Sequence, residues 1–402
     1  MQKHKLSEIL KFIRNGASIK QTKNAGGFPI TRIETISDLT INRERLGYAG
    51  ITDISKYSEY VLRNDDILMS HINSVKHLGK SAIYKKKGDE QIIHGMNLLC
   101  LRTVEFVCAD YLNYYFHSPY FYKSIQSFIK PAVNQASITT TDLKKVEISV
   151  PSLAKQQHIA SELDIVCGIL AKQKRQYKLF DDLIKSKFNE MFGDPVTNPM
   201  RWKVVEIGEV AKLEGGYAFS SKDYKKSGIR IIKITNVTKD VLDWDEVEYV
   251  SEALAEKCKR FLIKKGDLLM AMTRPIIKSL EAVKIAKATN EDLPALVNQR
   301  VGRFAIDKDK LSSAYLLEFC KHPLFKSQIE KFGSNSLQPN VSSKQVESIL
   351  IMLPPFDLQQ QFAEFVTQVE QSKAKLKAEI TQTETLYKAL MQKYFGDKEV
   401  AA

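Results

Sequence analysis

The chain is written twice. Ile138 to Asp194 lies on Val341 to Asp397 without a gap at a constant offset of 203, and the matched positions include Pro151 with Pro354, Gln156-Gln157 with Gln359-Gln360, Ala171-Lys172 with Ala374-Lys375, and Phe192-Gly193-Asp194 with Phe395-Gly396-Asp397. Upstream the offset is 201: Ile33 in G-F-P-I-T-R-I falls on Ile234 in G-I-R-I-I-K-I, and Asp66 to Met69 falls on Asp267 to Met270. A period of about two hundred residues is too long for a solenoid. It predicts two globular copies on one chain, a pseudo-dimer.

Length and composition agree. A chain of 402 residues supports two or three domains, each with its own core, and 44% apolar with 27% charged residues is ordinary globular composition. No apolar run reaches the length of a membrane span and no secretory leader pattern opens the chain, so a cytoplasmic protein without membrane contact is expected. The five cysteines (Cys100, Cys108, Cys167, Cys258, Cys320) are odd in number and form no C-x-x-C. They predict reduced, packed thiols rather than a disulfide framework or a metal site.

The net charge of +13 is unevenly placed. Residues 1–152 carry 21 basic against 14 acidic side chains and 200–355 carry 26 against 20, whereas 153–199 (7 against 6) and 356–402 (6 against 7) are nearly neutral. Positive charge confined to two repeated units points to two polyanion contacts, because phosphate neutralisation dominates nucleic-acid affinity. Solubility charge is the plainer explanation of the same numbers.

The neutral segments read as helices. Ile159, Leu163, Val166, Leu170, Gln173, Tyr177, Phe180, Ile184, Lys187 and Met191 recur at alternating steps of four and three, and Phe362, Val366, Val369, Lys373, Leu376, Ile380, Thr383, Tyr387, Leu390 and Tyr394 repeat the stripe. Where one copy has a polar seam residue the other has Leu or Phe, as two facing seams would allow. Pairing within the chain costs less entropy than dimerisation and is the expected outcome. Pro151 and Pro354-Pro355 stop the preceding strands, and Gly193 and Gly396 suit the position just past each helix. The turn-rich run Gly193 to Pro199 marks a domain boundary.

Within the globular parts, Ile229 to Val237 and Phe261 to Met270 read as strands, with turns at Lys265-Gly266-Asp267 and Gly215-Gly216. Ala109 to Ile129 and Leu311 to Phe332 read as helices interrupted by Pro119 and Pro323. The fold class is α+β: globular domains at 1–152 and 200–355, each followed by a long helical segment (153–199 and 356–402), the two helices pairing as an antiparallel coiled coil.

The ordered set G-G-Y-A-F-S-S (Gly215 to Ser221), G-I-R-I-I-K-I-T-N-V (Gly228 to Val237), G-D-L-L-M-A (Gly266 to Ala271), V-N-Q-R (Val297 to Arg300), G-S-N-S-L-Q-P-N-V-S (Gly333 to Ser342) and L-P-P-F-D-L-Q-Q-Q (Leu353 to Gln361), doubled along the whole chain, resembles the specificity subunit of type I restriction-modification systems. The first copy departs from it: Asn15-Gly16-Ala17-Ser18 stands for G-G-Y-A-F, and Gly95-Met96-Asn97-Leu98 for V-N-Q-R. The resemblance implies two target recognition domains, each reading half of a bipartite, asymmetric site on double-stranded DNA. It also implies helices that fix the spacer and dock two methyltransferase (modification) subunits, with restriction (translocase/nuclease) subunits joining the larger complex. S-adenosylmethionine, ATP and Mg would belong to those partners, and this chain would bind no cofactor and catalyse nothing.

The residues themselves favour that negative. Leu353-Pro354-Pro355-Phe356 imitates the N/D-P-P-Y/F motif of amino-methyltransferases, yet leucine cannot accept a hydrogen bond from a target amine. Ser74 to Ser81 imitates a P-loop but lacks its opening glycine, and Leu280 stands opposite Gly79. The seven histidines are scattered. Neither catalytic nor metal-binding residues are assigned.

DNA contact needs Lys or Arg for phosphate and Arg, Lys, Asn or Gln for base edges. In turn-rich segments of the second unit these are Lys222, Lys225, Lys226, Arg274, Gln299, Arg300 and Asn335. In the first they are Lys20, Lys23, Asn24, Arg43, Arg45, Asn73, Lys76 and Asn134. Tyr217 and Phe219 could stack on a displaced base, although core packing is the commoner role of such rings. Two other classes use the same sequence differently: a complete methyltransferase or nuclease, and a coiled-coil adaptor that does not touch DNA.

Overall fold

The computed structural model of the chain describes residues 2–21, 26–131, 135–333 and 339–396. It divides into two compact units, Met1–Lys174 with Ala378–Ala402, and Arg175–Lys377. Each is α+β.

The first unit is built on a four-stranded antiparallel sheet in the order Leu10–Asn15, Leu98–Thr103, Ile67–Ser70, Ser81–Ile83. Ile67 to Met69 and Leu98 to Leu101 are fully or almost fully buried, as a strand covered on both faces requires. Gln2–Lys5 pairs separately with Glu147–Val150, Gln2 opposite Val150. Helices Ala109–Phe116 and Pro119–Ile125 pack on the sheet through Tyr111, Leu112, Phe121 and Ile125. Pro119 does not break a helix but starts one. It occupies the first turn, where no N–H is needed, and the Ser118 hydroxyl accepts from the Phe121 N–H at 3.1 Å.

The second unit repeats the scheme. Its sheet runs Ala211–Gly215, Val301–Ile306, Leu268–Ala271, Ile285–Lys287, with a fifth edge strand, Lys239–Asp240, parallel to its neighbour. Lys203–Glu206 pairs with Leu350–Leu353, Lys203 opposite Leu353, and helices Ser313–Lys321 and Pro323–Gly333 again meet at a proline. Two expected strands are shorter than the pattern suggests. Ile229–Ile232 stops early because the buried Asn236 carboxamide accepts from the Lys233 N–H at 2.9 Å and closes a turn. Leu268–Ala271 starts late because Gly266 takes φ +90° and the Asp267 carboxylate accepts from the Lys264 N–H at 2.8 Å.

The long helices are Leu153–Phe192 and Phe356–Phe395, 40 residues each and therefore about 60 Å long. Each crosses from one unit into the other along the chain. Every expected seam position is buried or half-buried. Within the first unit the start of one helix lies antiparallel to the end of the other: Ile159 and Leu163 pack with Met391, the Tyr394 hydroxyl bonds Glu162, and Lys174 pairs with Glu384 at 2.8 Å. Within the second unit Phe188 and Phe192 pack with Phe362, and Lys373 pairs with Asp181. The polar seam residues are not all answered by apolar ones. The Lys373 ammonium lies 5.0 Å from the Tyr177 ring centre and keeps its charge by reaching Asp181.

Gly193 ends its helix at φ +78°, as expected of a glycine just past a helix. Gly396 does not take a left-handed conformation. There a Cβ would instead meet the Gln392 carbonyl. The segment Val75–His77 is a short 3-10 turn, which rules out a P-loop, whose phosphate cradle opens a helix. All five cysteines are free, three buried and two half-buried. Among the described residues no helix is long and apolar enough to cross a membrane.

Candidate nucleic-acid interface

At one end of the second sheet four chain segments are tied together by main-chain hydrogen bonds. Gln299 N–H donates to the Tyr217 carbonyl (2.9 Å), Met272 N–H to Arg300 (2.9 Å), Arg274 N–H to Pro339 (2.8 Å) and Val341 N–H to Met272 (2.8 Å). Gly216 is required in this knot, since a Cβ would lie 2.0 Å from the Val297 carbonyl. Arg274, Gln299 and Arg300 are thereby brought to one edge with exposed side chains, Arg274 on a left-handed backbone at φ +49°. Lys284, which the sequence reading passed over, joins them: its N–H donates to Pro275, and burial together with repulsion from Arg274 lowers its ammonium pKa. Lys222, Lys225 and Lys226 are exposed on a separate segment, anchored where Lys225 N–H donates to Tyr249 (2.8 Å).

The first unit forms the corresponding knot. Ala17 N–H donates to His94 (2.8 Å), Ile138 N–H to His71 (3.0 Å), and a Cβ on Gly16 would lie 2.1 Å from the Gly95 carbonyl. Gly16 therefore keeps the part played by Gly216 despite the altered motif around it. Lys20, Arg45 and Lys76 are exposed, whereas Asn73 is half-buried, its Oδ1 accepting from Ser74 N–H at 2.8 Å. Arg43 is otherwise engaged: its guanidinium grips Glu90 through two nitrogens and donates to the Lys85 carbonyl at 2.7 Å. That contact holds the Glu90 carboxyl down at about 2. Lys23, Asn24, Asn134 and Asn335 lie outside the described residues.

Phe219 is a core residue, and Tyr217, on its rim, packs edge-on against it at 4.9 Å. Among the described residues no group of three or more His, Cys, Asp or Glu side chains is placed to hold a metal ion. What the geometry does offer is two knotted edges, each presenting cationic or amide side chains from short loops on a rigid sheet, as groove readers do.

A duplicated α+β scaffold with a knotted edge on each copy and exposed cationic side chains in both units is the frame of a binding protein, and relatives identify the kind. The family model described as type I restriction modification DNA specificity domain matches residues 1–179 and again 199–383. The chain is 30% identical over 373 residues to a putative type I restriction enzyme MjaX specificity subunit of Methanocaldococcus jannaschii, covering 89% of this chain and 84% of that one. It is 26% identical to the MjaVIII specificity subunit of the same organism, over 62% of each. The S subunit of a type I restriction-modification system from M. genitalium shares its fold, with a TM-score of 0.59 at 13% identity over 98% of this chain and 96% of that one. The chain belongs to the type I restriction-modification specificity subunits, which recognise DNA and are not enzymes.

Proposed function

We propose that the chain reads a bipartite, asymmetric site on double-stranded DNA, one half-site per globular domain (1–152 and 200–355), across an unspecified spacer fixed by the helical segments (153–199 and 356–402). The observation that carries this reading is the pair of knotted edges, alike in backbone and different in side chains. In the second domain Arg274, Gln299 and Arg300 read base edges, while Lys222, Lys225 and Lys226 neutralise phosphate. In the first, Lys20, Arg45, Asn73 and Lys76 face DNA. Two methyltransferase subunits dock on the helices, restriction subunits complete the assembly, and S-adenosylmethionine, ATP and Mg are bound by those partners in the cytoplasm.

Lengthening the struts tests it. Four residues inserted after Ala171 and after Ala374 add about 6 Å to each helix, nearly two base-pair steps of about 3.4 Å. Methylation mapping in cells that carry the partner subunits should return a longer spacer between unchanged half-sites. An unaltered spacer would remove the helices from that role.

A further inference from the structure

The two copies differ where the first strand of the sheet leaves the core, and the difference is a reversal of charge. In the first unit Arg14 reaches Glu59, bonding its carboxylate at 3.0 Å and its carbonyl at 3.2 Å, and its guanidinium lies between the rings of Phe12 (5.3 Å) and Tyr60 (5.7 Å). The arginine latches the sheet to the turn that carries Glu59 and Tyr60. The matching turn of the second unit is fixed by its backbone: Val61 bridges Ile93 as Leu262 bridges Leu296, and Leu62 N–H donates to Ile92 as Ile263 N–H donates to Ala295. Tyr60 and Glu59 therefore correspond to Phe261 and Arg260. Two residues before the knot glycine, Arg14 corresponds to Glu214.

With both charges reversed, no guanidinium–carboxylate pair joins the two positions; Arg303 holds the turn from the next strand instead, donating to the Arg260 carbonyl at 3.3 Å and the Leu262 carbonyl at 3.0 Å. Glu214 pairs with Arg303 at 3.1 Å, and the exposed Arg260 lies over its neighbour Phe261 at 4.4 Å. Beside them a groove of about 450 Å³ stays open, lined by Glu214, Gly215, Gly216, Phe261, Val297 and the two arginines. Tyr217 packs on Phe261 at 5.7 Å and carries the groove to the Gln299 backbone at the reading edge. Glu214 is neutralised by Arg303, and Arg260 forms no ion pair among the described residues, so an open slot with an aromatic floor and this arginine at its rim suits a planar, anionic guest. A nucleotide has both properties.

We propose that this groove receives one unstacked nucleotide of the DNA target, its base against Phe261 and Tyr217 and its phosphate on Arg260, and that the latched first unit receives none. The inference rests on the DNA-reading function proposed above. It predicts that a single position, in the half-site read by the second unit, leaves the base stack on binding.

The full-length chain, without modification subunits that could extrude a base themselves, is titrated with duplexes carrying 2-aminopurine at successive positions of the mapped target. Anisotropy reports binding and 2-aminopurine emission reports unstacking. Emission should rise at one position only. Phe261→Ala should abolish that rise and weaken binding by roughly five- to 150-fold, the range for one stacked base. The combined change Glu214→Arg, Arg260→Glu and Arg303→Cys, which restores the first unit's Arg14, Glu59 and Cys100 at the matching register, should rebuild the latch, abolishing the emission rise while the protein still binds. Binding with no emission change anywhere, or an equal rise in both half-sites, would overturn the groove but leave the reading function intact. No binding to any duplex at low salt would overturn the reading function itself.

Discussion

Gln2 stands opposite Val150 in the first copy and Lys203 opposite Leu353 in the second, the same register two hundred residues apart. The tyrosine that ties each helical pair to this ribbon is kept as well. Tyr111 donates to the Ser149 carbonyl and Tyr315 to Met352, at 2.8 and 2.9 Å. Charged contacts are mostly not kept: Asp66 pairs with Arg102 and Asp267 with Arg303, but from non-equivalent positions of the neighbouring strand. Arg43–Glu90 and the Lys85 bonds to Asp65 and Asp110 belong to the first unit, and the Lys321 bridges to Asp240 and Glu318 to the second. Main-chain geometry is the shared inheritance, and side chains at the edges have diverged upon it, as expected if each copy must present a different surface from one scaffold.

The strongest shared feature is a buried glutamine at the start of each long helix. Gln156 accepts from the Cys108 N–H (2.8 Å) and donates to the Phe106 and Pro151 carbonyls; Gln359 accepts from the Ser312 N–H (2.9 Å) and donates to Lys310 and Pro354. Both are wholly buried. Each clamp fixes the direction in which its helix leaves the domain. Gln156→Ala and Gln359→Ala strand one N–H and two carbonyls in the interior and should each cost about 4 kcal/mol. Denaturant unfolding followed by hydrogen exchange should show equal losses, each centred on its own unit. Markedly unequal losses would mean that the matching geometry hides unlike energetics.

These glutamines were visible in the sequence as a repeated pair, and so were the helix ends, the seam and the prolines between helices, because all of them follow from local rules or from the repeat. The corrections fell where a side chain overrides local propensity. Asn236 ends a strand that β-branched residues would have prolonged, and Glu90 removes Arg43 from the candidate readers. The groove beside Phe261 was only half within reach: the offset of 201 lays residue 59 on 260 but residue 14 on Gly215, and only the strand register matches Arg14 with Glu214. The consequence of that match needs the distance from Arg14 to Glu59, which no spacing along the chain supplies.

Acid should separate the copies by somewhat less. Burial lowers the pKa of His71, His94 and His117 in the first unit, His94 to about 4, while in the second it lowers His322 and raises Glu318. A histidine whose folded value is depressed contributes fully above its unfolded value near 6.5. That contribution is lost as pH falls toward the folded value, because the unfolded chain takes up protons first. His94 alone should cost the first unit about 3 kcal/mol by pH 4. Glu318 acts in the opposite sense, since a raised carboxyl favours the folded second unit at low pH. Hydrogen exchange at pH 7.5, 5.5 and 4.5 should find the first unit loosening earlier, and His94→Gln should narrow the gap. Parallel loosening of both units would contradict this account.

The smallest effect concerns the reading edges, where the comparison becomes one of specificity. An arginine that grips a guanine edge through two nitrogens discriminates by about 1–3 kcal/mol, whereas a lysine on phosphate contributes equally to every sequence. Arg274 and Arg300 are held by main-chain bonds at the knot, so their side chains approach DNA from a fixed base; Lys225 stands on a peripheral segment. Arg274→Ala or Arg300→Ala should therefore relax one position of the half-site read by the second unit and leave the other half-site unchanged. Lys225→Ala should weaken cognate and random duplexes alike and reduce the salt dependence of log K by about one. Titrations on both duplexes at several salt concentrations separate the two behaviours. If the arginine variants lose the same affinity on random as on cognate DNA, they hold phosphate, and base readout in the second unit must come from Gln299 or from the groove beside Phe261.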